Sequence, residues 1–318
     1  MITRVLLTGA SGFVGRHLGA HLDDLGVEVV GTARGERPPD WRGEWRRLDV
    51  RDSEEAEAVI DAVQPSVVFH LAAAKRDAPL EKLLGVNVTG TQRLLAAVAR
   101  AAPGARVVIA GSSAEYGLTP AHELPLDEQG ALQPLGPYGV AKCAQSLLGL
   151  AAARAGANIV VTRTFNLVGP GEPATLVCGA FASQIAAREA GIEQGPLTVG
   201  NLNSERDFSD VRDAVRAYAL AAVHGSKGEI YNVCSGTPTR ISSVLSMLIA
   251  KARTPIEVAQ SVPASPGDVP AQFGDASRLA AATGWTRAFA LDQSLDDLLE
   301  WWRARLERTD AAAESPGR

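Results

Sequence analysis

A tyrosine and a lysine stand four residues apart in the segment PYGVAK, at Tyr138 and Lys142. On a helix, residues four apart share one face, so the phenol and the ammonium point into the same cleft. A free phenol has a pKa of about 10, and a nearby cation favours the phenolate, which makes the tyrosine usable as an acid or a base. Such pairs are also frequent on ordinary protein surfaces, so the interpretation depends on the residues that accompany them.

Ser112 is the residue that gives the Tyr-Lys pair its meaning. It follows directly after a candidate strand, in the segment GSSAEYG at 111–117. In an open α/β sheet the ligand crevice lies at the carboxyl ends of the strands, and a serine there can hydrogen-bond a substrate carbonyl oxygen and orient it. We therefore predict that Ser112, Tyr138 and Lys142 act together on a carbonyl group.

A glycine-rich turn, GASGFVG at 9–15, follows the first candidate strand and opens a helix. Glycines are needed where a turn takes unusual dihedral angles, where a pyrophosphate approaches the backbone and where helix and strand pack closely. The turn predicts a dinucleotide site; the alternative is an ordinary strand-to-helix turn. The expected cofactor contacts here are Gly9, Ser11, Gly12, Phe13, Val14 and Gly15.

The second candidate strand ends in VGTAR, without the acid that usually holds the adenosine ribose of NAD. A hydroxyl at Thr32 and a guanidinium at Arg34 suit a 2′-phosphate, which favours NADP(H) and leaves NAD(H) possible. The alternative is that Arg34 begins a solvated loop. Asp49 and Val50, after the third strand, are expected beside the adenine, with Asp49 as partner of its amine.

The elements that must position these residues follow from hydrophobic periodicity. Short apolar runs alternate with helical patterns, which predicts an α/β fold with a doubly wound parallel sheet of the Rossmann type. Candidate strands lie at 4–8, 27–32, 46–48, 66–71, 106–111 and 158–164. Candidate helices lie at 12–25, 53–63 with Ser53 as N-cap, 80–101, 138–155, 209–224 and 241–252.

After Asn166 the pattern loosens into Gly- and Pro-rich stretches, which predicts a smaller C-terminal substrate-binding domain. We expect the dinucleotide-binding domain to comprise 1–165 and also 207–232. The substrate domain is then 166–206 with 233–308. The small, polar residues 309–318 are expected to form a flexible tail.

Composition limits the class of protein. The chain has 318 residues and a net charge of −5 without a basic run, which argues against a nucleic-acid partner. No apolar run approaches the roughly eighteen residues of a membrane span, and the first apolar run is too short for a signal peptide. Three cysteines without metal-ligand spacing indicate no metal site and a reducing compartment; they are Cys143, Cys178 and Cys234. We therefore expect a cytoplasmic protein with no membrane partner.

Taken together, the motifs resemble the extended short-chain dehydrogenase/reductase family of NAD-dependent epimerases and dehydratases. The likeness covers nearly the whole chain, and GxxGxxG is the spacing of this family. The matching segments are TGASGFVG at 8–15, HLAA at 70–73, NVTGT at 87–91, GSSAEYG at 111–117, PYGVAK at 137–142 and RTFNLVGPGE at 163–172. VGNLNSERDFSDVRD at 199–213, YNVCSG at 231–236 and TGW at 283–285 look like one branch, the GDP-4-dehydro-6-deoxy-D-mannose reductases.

The resemblance implies a role for each matching residue. Ser112, Tyr138 and Lys142 would form the catalytic triad, with Tyr138 giving a proton to the C4 oxygen of a sugar as NADPH gives hydride to C4. Tyr138 and Lys142 would also contact the cofactor. The rest of the cofactor groove would be lined by Leu71, Ala72, Ala73 and Asn87. The sugar nucleotide would contact Ser113, Asn166, Arg206 and Asp268, with Arg206 on its diphosphate.

Two positions depart from the family pattern. Dehydratases of this superfamily carry a glutamate two residues before the tyrosine of the Tyr-Gly pair, where this chain has Ala114, so we expect no dehydratase activity. The branch also shows Arg-Pro-x-Glu-Val-Pro, with the arginine on phosphate, where this chain has Ser265 in place of the arginine and keeps an acid at Asp268. Losing a charge-assisted contact of roughly 1.5 to 3 kcal/mol leaves the base, GDP or dTDP, open.

We therefore predict an NADPH-dependent reductase of the C4 keto group of a GDP- or dTDP-linked 4-keto-6-deoxyhexose. The enzymatic alternative is a nucleotide-sugar 4-epimerase with tightly bound NAD, against which Thr32 and Arg34 argue. The alternative of another class is a non-catalytic cofactor-sensing protein, against which the intact triad argues. A homodimer is expected, because the helices at 80–101 and 138–155 are apolar on more than one face.

Overall fold

The computed structural model describes residues 3–259, 263 and 268–313, with side chains to residue 308. Two sheets organise the chain, and their strands are numbered in chain order. These are β1 (Arg4–Thr8), β2 (Glu28–Ala33), β3 (Glu44–Arg47), β4 (Val67–His70), β5 (Arg106–Ser112), β6 (Asn158–Thr164), β7 (Asn166–Val168), β8 (Glu205–Asp210), β9 (Ile230–Val233), β10 (Pro238–Arg240) and β11 (Ala271–Gln272).

The larger sheet has seven strands in the order β3-β2-β1-β4-β5-β6-β9, all parallel. The smaller sheet is built around β8, which pairs antiparallel with β10 and parallel with β7 and β11. The order reverses direction next to β1, and that point is where an open α/β sheet has its crevice. The predicted doubly wound sheet is confirmed.

Ten helices are described. They are α1 (Phe13–Asp24), α2 (Ser53–Val63), α3 (Leu80–Leu83), α4 (Gly90–Ala101), α5 (Pro137–Arg154), α6 (Val177–Glu189), α7 (Val211–His224), α8 (Ile241–Ala250), α9 (Ser277–Thr283) and α10 (Leu291–Ala313). Helices α2, α4 and α5 bury their apolar faces on one side of the larger sheet, and α1, α7 and α9 cover the other side. Helices α6, α8 and α10 enclose a third core beside the smaller sheet.

Two helix predictions need correction. Ser53 is not the N-cap of α2: the Asp52 carboxylate accepts the N–H groups of Glu54 and Glu55 at 2.9 and 3.1 Å, because the residue before the first helical turn has the extended backbone that capping requires. The helix at 80–101 is continuous, but its middle, Leu84–Thr89, is a π-helical segment. Such segments are frequent at functional sites.

Three boundaries also differ from expectation. Residues 207–210 belong to β8 in the smaller sheet, so the chain returns to the larger sheet only with α7 and β9. Leu279 and Trp285, within the range assigned to the substrate domain, pack in the same core as α1 and α7. The backbone of α10 stays helical to Ala313, because alanine has the highest helix propensity, and residues 314–318 of the expected tail lie outside the described residues.

Other expectations concern absences. In the described part of the chain, no helix is both long enough and apolar enough to cross a membrane. Over the same residues, no group of three or more histidine, cysteine or acidic side chains is placed to hold a metal ion. The three cysteines are free and buried, as small core residues should be.

Candidate active site

The side chains predicted to be catalytic lie at the carboxyl edge of the larger sheet. Ser112 is the last residue of β5, and Tyr138 lies in the first turn of α5. Gly139 lets this helix approach the turn after β5: a Cβ atom there would lie 2.6 Å from the carbonyl oxygen of Ala114. As a result the side chain of Ser112 lies close enough to that of Tyr138 to act on its pKa.

The charges around Tyr138 differ from the prediction. Burial raises the pKa of Tyr138, while the hydrogen bond with Ser112 and the positive charge of Arg76 lower it and the negative charge of Glu115 raises it further. Sequence reasoning had given the lowering role to Lys142. The structure gives it to Ser112 and Arg76.

Lys142 is buried one helical turn further on. Its ammonium donates to the carbonyl oxygen of Ala110 and to Oε1 of Gln145, both at 2.8 Å. Burial lowers the pKa of Lys142 to about 8, and the negative charge of Glu115 opposes that fall. Lys142 is therefore protonated at neutral pH and loses its proton only slightly above neutral pH.

A buried chain of hydrogen bonds continues from Gln145. Its Nε2 donates to the hydroxyl of Thr91 at 2.9 Å, and that hydroxyl donates to the carbonyl oxygen of Asn87 at 2.6 Å. Because the Thr91 proton is used in this way, Nε2 of His70, 2.8 Å away, must be the donor to Thr91. Sequence reasoning missed Gln145, since nothing local marks it as a partner of Lys142.

His70 extends this series of hydrogen bonds to Thr8 and the loop after β4. Its Nδ1 accepts from the hydroxyl of Thr8 at 2.9 Å, and that hydroxyl accepts the N–H of Ala72 at 3.2 Å. Burial lowers the pKa of His70 to about 3, so the imidazole is neutral at working pH. This network holds Lys142 and the loop after β4 in a fixed relation without moving protons.

The glycine-rich turn has the geometry that a diphosphate needs. Gly9 has φ +71°, and a Cβ atom there would lie 2.8 Å from the backbone nitrogen of Ala72. A Cβ atom at Gly15 would overlap the carbonyl oxygen of Gly9. Gly12, the N-cap of α1, provides no side-chain cap, so the first N–H groups of that helix are left for an anion.

Further residues of the predicted groove lie beside this turn. Asn87, in the π-helical segment, is fully buried and its Oδ1 accepts the N–H of Ala74 at 2.8 Å, while its Nδ2 has no partner among the described residues. Leu71 and Ala72 are half-buried and Ala73 is exposed, at the open end of β4. An orphaned amide donor next to a glycine cradle fits a dinucleotide.

The smaller half of the molecule packs over the start of α1. His17 Nε2 is hydrogen-bonded to the carbonyl oxygen of Pro170 at 2.7 Å, and Gly171 lies against the ring of Phe13. Ser11 and Val14 stay at the surface of the turn, exposed and half-buried respectively.

At the adenosine end one expectation fails. The hydroxyl of Thr32 is buried and is hydrogen-bonded to the carbonyl oxygen of Leu7 at 3.3 Å, because the side chain points into the sheet, so it is not offered to a 2′-phosphate. Arg34 is exposed and close enough to Asp49 to lower the pKa of that carboxyl, although the hydrogen bond from Arg51 does so more strongly. Val50 is buried beneath this edge.

On the substrate side the structure brings Arg206 toward the catalytic turn. Arg206, on β8, is paired in register with Gln272 of β11, whose Nε2 donates to the carbonyl oxygen of buried Ser113 at 3.2 Å. Asn166 lies on the neighbouring β7, and its amide donates to the carbonyl oxygen of Asp207 at 3.0 Å. The smaller sheet is therefore hydrogen-bonded onto the segment that carries Ser112.

Asp268 is exposed and accepts from the amide of Asn201 at 3.1 Å. Its negative charge acts on Arg206, which places it at the same cleft. Ser265, which replaces the arginine of the family pattern, lies outside the described residues.

Arg76 is a site residue that sequence reasoning missed. Burial lowers the pKa of Arg206, and the positive charge of Arg76 lowers it further, so the two guanidinium groups are close enough to repel one another. Among the described residues, neither lies within ion-pair distance of a carboxylate. The positive charge of Arg76 near Tyr138, together with that of Arg206, makes the cleft suitable for an anionic substrate.

Comparison with known proteins agrees with this geometry. The model of the NAD dependent epimerase/dehydratase family matches residues 5–234. The chain belongs to this family.

Within the family, the chain is 33% identical to GDP-6-deoxy-D-mannose reductase of Pseudomonas aeruginosa, over 96% of this chain and 99% of that one. It is 32% identical to dTDP-6-deoxy-L-talose 4-dehydrogenase (NAD(P)(+)) of Kitasatospora kifunensis, over 95% of both chains. The structure of RMD from Pseudomonas aeruginosa complexed with NADPH superposes with a TM-score of 0.81 at 30% identity, covering 95% of this chain and 99% of that one.

One family feature is absent from the cleft. At the position where dehydratases of this family carry their glutamate, Ala114 presents only a methyl group, and its N–H donates to the hydroxyl of Ser112 at 3.2 Å. The neighbouring Glu115 is fully buried behind the turn. The cleft therefore holds no carboxylate at this place for eliminating water.

Proposed function

We propose that the protein is an NADPH-dependent reductase of the C4 keto group of a nucleotide-linked 4-keto-6-deoxyhexose, with GDP or dTDP as the carrier. The observation that carries the proposal is the placement of Ser112 beside Tyr138, with buried Lys142 one helical turn further on, in a cleft with two arginines and no carboxylate at position 114. Similarity along the whole chain to two enzymes of nucleotide-linked 6-deoxysugars supports the same class of substrate.

Each side chain has a part in this reaction. The bound nicotinamide supplies a hydride. Ser112 hydrogen-bonds the C4 oxygen and holds it against Tyr138, whose hydroxyl gives that oxygen its proton. Lys142, protonated at neutral pH, holds the nicotinamide ribose, Arg76 keeps a positive charge near the tyrosine, and Arg206 with Arg76 holds the diphosphate.

The residues that would bind the cofactor are those that form its cradle. The glycine turn and the start of α1 take the diphosphate, Asn87 offers its unpartnered amide, and Asp49 serves the adenine. Arg34 takes the 2′-phosphate alone, which still favours NADPH over NADH. We place the dinucleotide half in 1–165 with α7 and β9, the substrate half in most of the remaining chain, and the protein in the cytoplasm.

We also propose a homodimer. Leu80, Leu84, Val140 and Leu147 are exposed apolar residues of the helical segment at 80–101 and of α5, which pack side by side. A patch of this kind on a soluble protein marks an interface. Leu147→Glu is expected to give a monomer in light scattering, whereas Leu25→Glu, at an exposed leucine after α1, leaves the dimer intact; a monomeric wild-type protein contradicts the proposal.

The function is tested by following the absorbance of NADPH with GDP- and dTDP-linked 4-keto-6-deoxyhexoses. We expect consumption with one of them, and Tyr138→Phe should lower kcat by about 10²- to 10⁴-fold, the range of general acid catalysis. Tyr231→Phe is the matched control at a buried tyrosine of β9, with kcat unchanged. No consumption with either ketosugar, together with oxidised cofactor that stays bound through gel filtration, would instead support the 4-epimerase.

A further inference from the structure

Glu115 lies directly behind the catalytic serine. It ends the short helical turn after β5 and is fully buried, so its side chain does not reach the cleft. Its Oε1 accepts the backbone N–H of Ser112 at 2.8 Å and the hydroxyl of Ser146 at 3.0 Å. The carboxylate therefore fixes the backbone from which the catalytic hydroxyl projects.

A buried arginine holds this carboxylate in place. Nε of Arg163, on β6, donates to Oε2 of Glu115 at 2.9 Å, and Nη1 donates to the carbonyl oxygen of Glu128 at 3.2 Å. The guanidinium also lies over the ring of Tyr116, 4.9 Å from its centroid. With partners on three sides, Arg163 has one available position, and so has the carboxylate that it binds.

The backbone has made room for this arrangement at Gly111. A Cβ atom at this position would lie 2.6 Å from Oε1 of Glu115 and 2.7 Å from the carbonyl oxygen of Thr162. Any side chain here would displace the carboxylate from the N–H of Ser112. The close approach of the Glu115 carboxylate and of the Thr162 carbonyl oxygen therefore explains the glycine before the serine.

The carboxylate also acts on the other two catalytic residues through its charge. Burial dominates the pKa of Lys142 and that of Tyr138, and the negative charge of Glu115 raises both. Arg76 acts on Tyr138 in the opposite direction. Glu115 thus favours the protonated forms that a reduction needs.

We propose that Glu115, anchored by Arg163, is a positioning residue for the reduction: it sets the place of the Ser112 hydroxyl and keeps a negative charge behind Tyr138 and Lys142. This inference rests on the proposed function for its kinetic test. It assigns Glu115 no contact with substrate or cofactor.

The first test is a double-mutant cycle between Glu115→Gln and Ser112→Ala. A small misplacement of a reacting group costs about 10²-fold in rate, so Glu115→Gln alone should lower kcat by about tenfold to hundredfold with KM within about threefold. In the Ser112→Ala background the same change should lower kcat by clearly less than it does in the wild type, since the hydroxyl that Glu115 positions is gone and only the effect of its charge is left. The proposal is overturned if the effects of the two substitutions on kcat multiply in full, or if Glu115→Gln leaves kcat unchanged.

Loss of the fold is controlled with a second buried ion pair. Glu189 binds Arg303 at 2.6 and 2.7 Å in the smaller half of the molecule, far from Ser112. Glu189→Gln should lower thermal stability without changing kcat, which separates lost stability from lost positioning. If Glu115→Gln does not fold, Glu115→Asp takes its place in the cycle. Aspartate keeps the negative charge that Arg163 needs, but its shorter side chain draws the carboxylate away from Ser112. The same two outcomes, effects on kcat that multiply in full or an unchanged kcat, would overturn the proposal.

A measurement without turnover separates this inference from the function. The phenolate of Tyr138 is followed by ultraviolet difference titration against Tyr138→Phe, with and without NADP⁺. Glu115→Gln should ionise Tyr138 at lower pH than the wild type, and an unchanged midpoint contradicts the charge that we assign to Glu115. If the wild type reduces neither ketosugar, the proposed function fails, and this titration still decides the part played by Glu115.

Discussion

Replacing Glu172 by glutamine should make the protein more stable in mildly alkaline solution. Glu172 is buried in the loop between β7 and α6, where its carboxyl accepts the N–H groups of Cys178 and Gly179 at the start of α6. Oε2 has no hydrogen-bond partner among the described residues. A neutral amide keeps an acceptor for the two N–H groups and removes the buried charge.

The magnitude follows from linkage. Burial raises the pKa of Glu172 from 4.5 to about 8, so the folded protein holds the proton that the unfolded chain has released. The stability contributed by this proton is complete below about pH 4.5 and is lost as the pH rises through about 8. The advantage of Glu172→Gln over the wild type should therefore grow by about 3 kcal/mol between pH 5 and pH 8.

Urea unfolding of both proteins at pH 5, 6, 7 and 8 measures this difference. Glu189→Gln, at the other end of α6, is the control, and its stability should depend on pH in the opposite direction. The effect of burial on Glu189 is outweighed by Arg303, so the pKa of Glu189 is lowered. The stability that Glu189 contributes is therefore present at neutral pH and lost as the pH falls. A free-energy difference between Glu172→Gln and the wild type that stays constant with pH would refute the reasoning.

Three further predictions concern the site. Arg34→Ala should raise the Kd for NADPH about tenfold and leave that for NADH within about twofold, because one charge-assisted contact to the 2′-phosphate is lost; equal effects on both cofactors in fluorescence titrations would show that Arg34 is only a surface residue. The pH profile of kcat/KM should fall above about pH 8, where Lys142 loses its proton; a profile that stays flat to pH 10 speaks against this assignment. Arg76→Ala should raise KM for the nucleotide sugar about tenfold and leave the Kd for NADPH unchanged. Lys75→Ala, at the exposed neighbouring residue, is the control. If the two variants have the same KM, Arg76 is not part of the substrate site.

The larger sheet could be predicted from sequence because its signals are local. The strands β1 and β6 are short apolar runs with clear ends, and their predicted bounds are those of the structure. The strand β8, with the sequence ERDFSD, shows no such run, and its partners β7, β10 and β11 lie far away along the chain. Helix α6 begins without a side-chain cap and mixes small and apolar residues on all sides, so neither its start nor its face stood out.

In the site, the predicted residues are those in which one short segment carries the whole signal, such as the glycine turn. The missed residues act across the fold. Glu115 and Arg163 are 48 residues apart with α5 between them, and the pairing of β5 with β6 brings them together. One sequence signal existed: Arg163 stands in the predicted strand NIVVTRT, and a buried charge needs a partner of opposite sign.

Ser265 stands where the family pattern has an arginine on phosphate. From the sequence alone, the missing cation predicts weaker binding of a diphosphate or a different nucleotide. Arg76 brings a positive charge close enough to act on both Arg206 and Tyr138. In the proposed function, Arg76 and Arg206 together hold the diphosphate, and this second cation from another segment would offset the one missing at residue 265.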